Sequence, residues 1–323
     1  MKIGILTLAA ASLLAANAHA LVVYGESNSD AAVSYESPTG AEAAAVKFGS
    51  ASAVYLGGGW FITANHVNGT SVSQNGHSAA VSYFDDSLYA SYGVDLKLFY
   101  VAPELLSAWD CLAPASLSAS AYSSMKSSSY EYSYNFFTKK YSIKSYTKGD
   151  YLTLVGAGVG RDESSALGAS DVSTGGSRIL RSGEASYFLD TASGGVPYII
   201  TLPEEIAGSA QAVDGDSGGG LFCGDGGDYC LVGVLASVSP SISHVYFNSY
   251  SNVSLVYDEH GNSSLGGEVQ NRSLTFAVSL APYIGEISAI IATDPLAVPE
   301  AADFACVAGL CALLLAGLRR RAR

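Results

Sequence analysis

The chain has 323 residues, of which 29 are acidic and 16 basic, for a formal net charge of −13. A surface this acidic repels phosphates, which argues against nucleic acid as a partner. The length is ample for a hydrophobic core, built as one large domain or as two smaller β lobes.

Residues 1–20 begin Met-Lys-Ile-Gly, continue as an apolar run and end Ala-His-Ala. A basic start, a short apolar stretch and small residues before the cut describe a secretory signal peptide, with cleavage after Ala20. Leu21 to Ser50 mixes short apolar runs with Gly, Asn, Asp and Pro. Ala51 to Val67 reads as strand, Gly-Gly-Gly turn, strand and a short helical turn. Val72–Tyr83 and Val94–Val101 read as further strands, rich in β-branched and aromatic residues and interrupted by turn clusters.

Residues 114–149 are rich in Ser and Tyr, and the alternation in Tyr130-Glu131-Tyr132-Ser133-Tyr134 suggests a long solvated hairpin or insertion. Tyr151 to Gly160 is an apolar strand ending in Gly-x-Gly-x-Gly. No clear helix follows, so a dinucleotide site is not supported. Short strands recur at Ala185–Asp190, Val196–Leu202, Leu231–Ser237, His244–Phe247 and Leu274–Leu280. The one helix expected inside the domain is Pro282–Ala292, opened by its proline, with Ile284, Ile287 and Ile291 on one face. Many short strands and one late helix indicate an all-β barrel or sandwich.

The C-terminal segment reads Val298-Pro299-Glu300, an apolar run from Phe304 to Leu318, then Arg319-Arg320-Arg321-Ala322-Arg323. The run is long enough for a marginal transmembrane helix, with the arginine cluster on the cytoplasmic side. This layout resembles the PEP-CTERM sorting signal of Gram-negative bacteria, with Ala301 where that signal usually has its second proline. The resemblance implies an exported, membrane-associated chain processed by a signal peptidase and an exosortase.

Of the cysteines, Cys223 and Cys230 flank Gly-Asp-Gly-Gly-Asp-Tyr, a turn-rich loop across which an exported protein can form a disulfide. Cys111 is left over and reads as a buried thiol. No Cys/His spacing of a metal site occurs, and neither metal nor cofactor is expected.

Three segments carry chemistry. Asp214-Gly215-Asp216-Ser217-Gly218-Gly219-Gly220 places a serine between glycines, where the backbone can turn sharply and approach a ligand. His66 ends the apolar run Trp60-Phe61-Ile62-Thr63-Ala64-Asn65, whereas His77 and His260 read as members of polar loops and His244 of a Ser/Pro-rich loop. Asp95 enters the apolar strand Val94-Asp95-Leu96-Lys97-Leu98. An acid buried there needs a hydrogen-bonding partner, such as an imidazole N–H.

In order and wording, Thr63–Val67, Asp95–Leu98 and Gly215–Gly219 resemble the three signature blocks of trypsin/chymotrypsin-like serine proteases. Val155–Gly158, Leu231–Val234 and Phe276–Val278 resemble flanking strands of the same family, so the resemblance spans roughly residues 22–293.

The resemblance implies a domain over 21–297 made of two six-stranded antiparallel barrels and a C-terminal helix, followed by the sorting segment 298–323. It implies endopeptidase activity on protein or peptide substrates. Ser217 is then the nucleophile, His66 the base and Asp95 the orienting acid, with the N–H groups of Gly215 and Ser217 as the oxyanion hole. Counting from Ser217 places Gln211 at the floor of the specificity pocket, with Ala236 and Val238 on its wall; Val238 would narrow the mouth and favour small side chains. The family's activation pairing implies that Asp216 receives the N-terminal amine, which signal cleavage would supply at Leu21.

Two other readings stand beside this one. The string Gly-x-Ser-x-Gly also fits an α/β-hydrolase esterase, which needs helices alternating with strands and a histidine after the serine. A catalytically inactive protease fold serving as a surface binding or adhesion protein would suit the Tyr/Ser-rich insertion and the anchor.

Overall fold

A computed structural model describes residues 21–27, 29–135, 140–162, 164, 166, 178–224, 228–239, 255–257, 263–265, 274–293 and 295–296. The signal-peptide and sorting-segment expectations, and the strand expected at His244–Phe247, lie outside these residues. The chain divides into two compact units, Met1–Ile291 and Ala292–Arg323, and the elements below all belong to the first. Among the described residues no helix is long and apolar enough to cross a membrane.

The chain opens with β1 (Val22–Val23), and the elements of the first lobe then begin with α1 (Gly40–Ala44), β2 (Ala45–Phe48), β3 (Ala51–Gly57) and β4 (Trp60–Thr63). Then come β5 (Ser71–Gln74), β6 (His77–Ala80), β7 (Tyr83–Asp85), α2 (Ser87–Tyr92) and β8 (Lys97–Tyr100). Strands β2 to β8 form one antiparallel seven-stranded sheet in the order β6-β5-β2-β3-β4-β8-β7. Helix α1 starts in a full capping box: the Thr39 hydroxyl accepts from the Glu42 N–H, and the Glu42 carboxylate accepts from the Thr39 N–H. The sheet curls around stacked rings, Phe48 on Phe99 at 4.3 Å and Phe61 on Phe99 at 5.1 Å. All three rings are fully buried, and each contributes on the order of 2–3 kcal/mol through the area it removes from water.

The strands expected over Val72–Tyr83, interrupted by turn clusters, are a hairpin and a separate strand. Gln74 pairs with His77, and the two loop residues Asn75 and Gly76 have φ of 46° and 80°. An Asn-Gly pair with both φ positive is the turn that matches the strand twist. It puts His77 on β6 rather than in a polar loop.

After this lobe come α3 (Ala119–Ser124) and the two-stranded ribbon β9 (Ser129–Asn135) with β10 (Lys140–Thr147), which is the hairpin read from the Tyr/Ser alternation. The second lobe follows, with β11 (Tyr151–Gly156), β12 (Arg181–Ser193), β13 (Val196–Leu202), β14 (Ala210–Gln211), β15 (Gly220–Cys223), β16 (Cys230–Ser239), β17 (Leu255–Tyr257), β18 (Ser263–Leu265) and β19 (Leu274–Ser279). Six of these close a barrel in the order β11-β12-β13-β19-β16-β15, with β15 returning to β11. The all-β architecture is therefore that expected, with one closed barrel and one curled, open sheet.

The late helix is present. It begins as a 3-10 turn at Ala281–Tyr283 and continues as α4 (Ile284–Ile291), burying Ile287. One core runs through both lobes: Phe61 and Val72 of the first belong to the same buried cluster as Val155, Phe222 and Val278 of the second.

Candidate active site

Strand β4 stops at Thr63, and a tight turn follows in which the Val67 N–H donates to the Ala64 carbonyl at 3.0 Å. That turn lifts His66 out of the sheet. Asp95 arrives from the other side, after α2 ends on Gly93 at φ 64°. Its two oxygens divide the work: Oδ1 accepts from the His66 backbone N–H at 2.9 Å, and Oδ2 lies 2.6 Å from His66 Nδ1. One carboxylate thus fixes both the backbone and the ring of the histidine. The contact assigns the proton to Nδ1 and leaves Nε2 as the basic nitrogen. Beneath the turn, Lys97 Nζ donates to the Val67 carbonyl and sits 5.6 Å from the Phe84 ring centroid. Burial pushes the Lys97 ammonium below its ordinary range, against the opposing pull of Asp95 and Asp86.

The serine loop is held through its backbone. Gly218 N–H donates to the Leu235 carbonyl at 2.7 Å, Gly219 N–H to the Asp216 carbonyl at 2.8 Å, and the Ser217 carbonyl accepts from Ser52 N–H at 3.0 Å. Gly218 has φ 82°, and a Cβ there would collide with Thr63 Oγ1 and the Ser52 carbonyl. Thr63 Oγ1 donates to that same Ser52 carbonyl at 2.7 Å. The loop bearing Ser217 and the strand that delivers His66 are therefore fastened to one residue of β3. Ser52 was not singled out in the sequence. Its signal was a lone hydroxyl inside an apolar strand, where it is fully buried; its Oγ also accepts from the Ala157 N–H at 2.8 Å.

Among the described residues no hydrogen bond joins His66 Nε2 to Ser217 Oγ, and the Ser217 hydroxyl has no other partner. Such bonds are often long before a substrate is bound. The N–H groups of Gly215 and Ser217 likewise have no acceptor among these residues, which leaves them open to an external oxygen.

Asp216, next to the serine, is 1% exposed. Its Oδ2 accepts from Val213 N–H at 2.7 Å, and its Oδ1 from Gly158 N–H at 2.8 Å and Leu21 N–H at 3.4 Å. Gly156 and Gly158 are the glycines of the β11 motif, and a Cβ on either would strike this aspartate. They make room for a carboxylate. Burial pushes the Asp216 carboxyl up to about 6, while the hydrogen bonds from Val213, Gly158 and Leu21 and the charge of Arg181 pull the other way. Leu21 is held there by β1, whose Val22 and Val23 pair with Gln211 and Ala210 of β14.

Beside Ser217 lies a cavity of about 200 Å³ lined by Ala212, Val213, Asp214, Leu235, Ala236 and Val238 among others. Ala236 sits at a bulge where the β16–β19 register slips between Leu235 and Ser237, which turns this edge toward the cavity. Gln211 does not line it. Its place in the β1–β14 ladder buries it; Nε2 donates to the Ala212 carbonyl at 3.0 Å and Oε1 has no partner among the described residues.

Cys223 and Cys230 are direct register partners on β15 and β16, and both are free thiols. Cys111 is also free and half-buried, and its Sγ donates to the Tyr35 carbonyl. No group of three or more metal-ligating side chains occurs among the described residues. A scan against protein-family models gives no match to this chain, and neither does a search of curated proteins.

Proposed function

We propose that this chain is an exported serine endopeptidase of the trypsin/chymotrypsin-like type. The observation that carries the reading is the His66–Asp95 pair, 2.6 Å apart, on a strand that Ser52 fastens to the loop of Ser217, whose hydroxyl and neighbouring N–H groups have no partner among the described residues. Ser217 Oγ attacks the scissile carbonyl, and Nε2 of His66 takes its proton. The imidazolium that forms is stabilised by Asp95, which keeps its own charge. The tetrahedral oxyanion is received by the N–H groups of Gly215 and Ser217, each such donor being worth about 3–4 kcal/mol in acyl transfer. His66 then returns the proton to the leaving amine, and water repeats the sequence on the acyl-enzyme.

The 200 Å³ cavity, walled by Ala236 and Val238, supports a small apolar side chain on the acyl side of the bond. The signal-peptide pattern at 1–20 and the sorting-signal pattern at 298–323 support a cell-envelope location, with a signal peptidase and an exosortase as processing enzymes.

A fluorophosphonate probe tests the reading. The expected result is one stoichiometric adduct on Ser217, with none in Ser217→Ala and strongly slowed labelling in His66→Ala. The missing His66–Ser217 hydrogen bond favours a second reading, a non-catalytic binding or adhesion protein on the same fold. A folded chain that neither labels nor cleaves a denatured protein would establish that reading in place of the first.

A further inference from the structure

Arg178, which packs on Gly215, lines a second cavity of about 480 Å³. Its wall brings together Lys47 from β2, His77 from β6 and Arg178, which precedes β12. No carboxylate lines it among the described residues. In a chain with 29 acidic and 16 basic residues, a concave surface carrying only cationic and neutral groups departs from the average.

The two permanent cations are near neighbours without a counterion. Neither Lys47 nor Arg178 takes part in an ion pair among the described residues. Arg178 Nη1 is tethered by the Ser50 carbonyl, and the Lys47 ammonium is pushed below its ordinary range by burial and by Arg178. Glu42, the carboxylate felt at neighbouring Tyr35, has both oxygens engaged, one by the Thr39 N–H and one by the Ser182 hydroxyl. It is not free to swing in. Two cations held together cost free energy unless an anion joins them. Arg presents a planar fork and Lys a point charge, a pair suited to a carboxylate.

Position connects this cavity to the serine. The Arg178 guanidinium packs directly on Gly215, so closely that a Cβ on Gly215 would collide with it. The oxyanion loop therefore touches both recesses: the small one, lined from β16, through Ser217, and the cationic one, lined from β2, through Arg178. If the small recess holds the acyl-side residue, a peptide continuing across Ser217 runs past Gly215 into the second.

We propose that Lys47, Arg178 and His77 form a subsite for an Asp or Glu side chain on the leaving-group side of the scissile bond. The proposal rests on the protease reading of Ser217. It makes the enzyme selective for acidic sequences, which the overall negative charge would otherwise repel.

Two measurements test it, one with catalysis and one without. In the first, quenched peptides carrying Glu or Gln at each of the first three positions after the scissile bond are compared by kcat/KM. At one position Glu is expected to exceed Gln by about tenfold, with the preference lost in Lys47→Gln and in Arg178→Gln and retained in Lys47→Arg. In the second, the Ser217→Ala chain is titrated with short Glu and Gln peptides and with inorganic phosphate. The Glu peptide is expected to bind at least fivefold more tightly than the Gln peptide, and only while Lys47 and Arg178 are present. Binding of this kind without any hydrolysis by the parent chain would retain the subsite and remove the protease reading. Hydrolysis with no Glu preference overturns the subsite, and so does binding of phosphate without binding of the Glu peptide.

Discussion

Asp216→Asn gives the sharpest test of how the serine loop is powered electrostatically. In the chain as it stands, the Leu21 nitrogen facing Asp216 is a peptide amide, and burial holds the carboxyl near 6 against an ordinary value of 3.8. That difference is about 2 pH units, or roughly 3 kcal/mol at 1.36 kcal/mol per unit. The sign follows from the raised value. Below about pH 4 both folded and unfolded chains are protonated at this site, and its contribution is fully present. As pH rises towards 6 the unfolded chain releases its proton first, and stability is lost; above about 6 the loss is complete.

The assay is urea unfolding between pH 4 and 8 on a chain in which a soluble tag replaces residues 1–20. The parent is expected to lose about 2 kcal/mol relative to Asp216→Asn across pH 4–6, over and above a constant offset from the amide's misplaced NH₂ beside Val213. A chain starting at Leu21 carries an ammonium at that place, which lowers the carboxyl's pKa, and the differential slope should vanish or change sign. Parallel profiles for parent and Asn variant in the tagged form would refute the reasoning. Equal profiles for tagged and Leu21-initiated chains would refute the pairing of the new terminus.

Other expectations are more local. Asp95→Asn should leave the fold intact and lower kcat by about 10⁴-fold, because an amide at Oδ2 no longer selects the Nδ1–H tautomer; steady-state kinetics beside circular dichroism reads it. Gly218→Ala should lower stability by at least about 2 kcal/mol, since φ is 82° and the methyl meets Thr63 and the Ser52 backbone; denaturant unfolding measures it, and a neutral result would mean the loop is not pinned to β3. In an oxidising compartment Cys223 and Cys230 should join, removing two titratable thiols and adding about 2–3 kcal/mol for a loop this short; thiol counting with and without reductant checks both. Val238→Gly should widen the small recess and shift acyl-side preference toward larger residues, read by profiling cleavage products.

Part of this protein was legible residue by residue. Short apolar runs rich in aromatic and β-branched residues, as in Trp60–Thr63 and Leu231–Leu235, bounded by Gly and Asn turns, declare short strands because strand preference and turn chemistry are local. The helix at Ile284–Ile291 was equally plain from its isoleucine spacing and its proline. His66 and Asp95 stood out as polar groups at the ends of buried strands, where an unpaired charge is costly and a partner is required.

What the chain order does not carry is distance. Gln211 was placed in the cavity by counting, but strand pairing with Val22 turned it into the wall behind, because the register of a ladder depends on a partner 189 positions away. The turn cluster at Asn75-Gly76 is readable, but His77 beside it reads as part of the loop, because the polar residues Gln74 and Ser78 around it give no apolar pattern to mark where the next strand begins. That Ser52 fastens both the serine loop and the histidine strand depends on tertiary structure alone, as does the meeting of Lys47, His77 and Arg178 in one recess. Local sequence decides which backbone shape each segment prefers. Only the closing of one sheet against the other decides which polar groups lose water together, and therefore which of them must find one another.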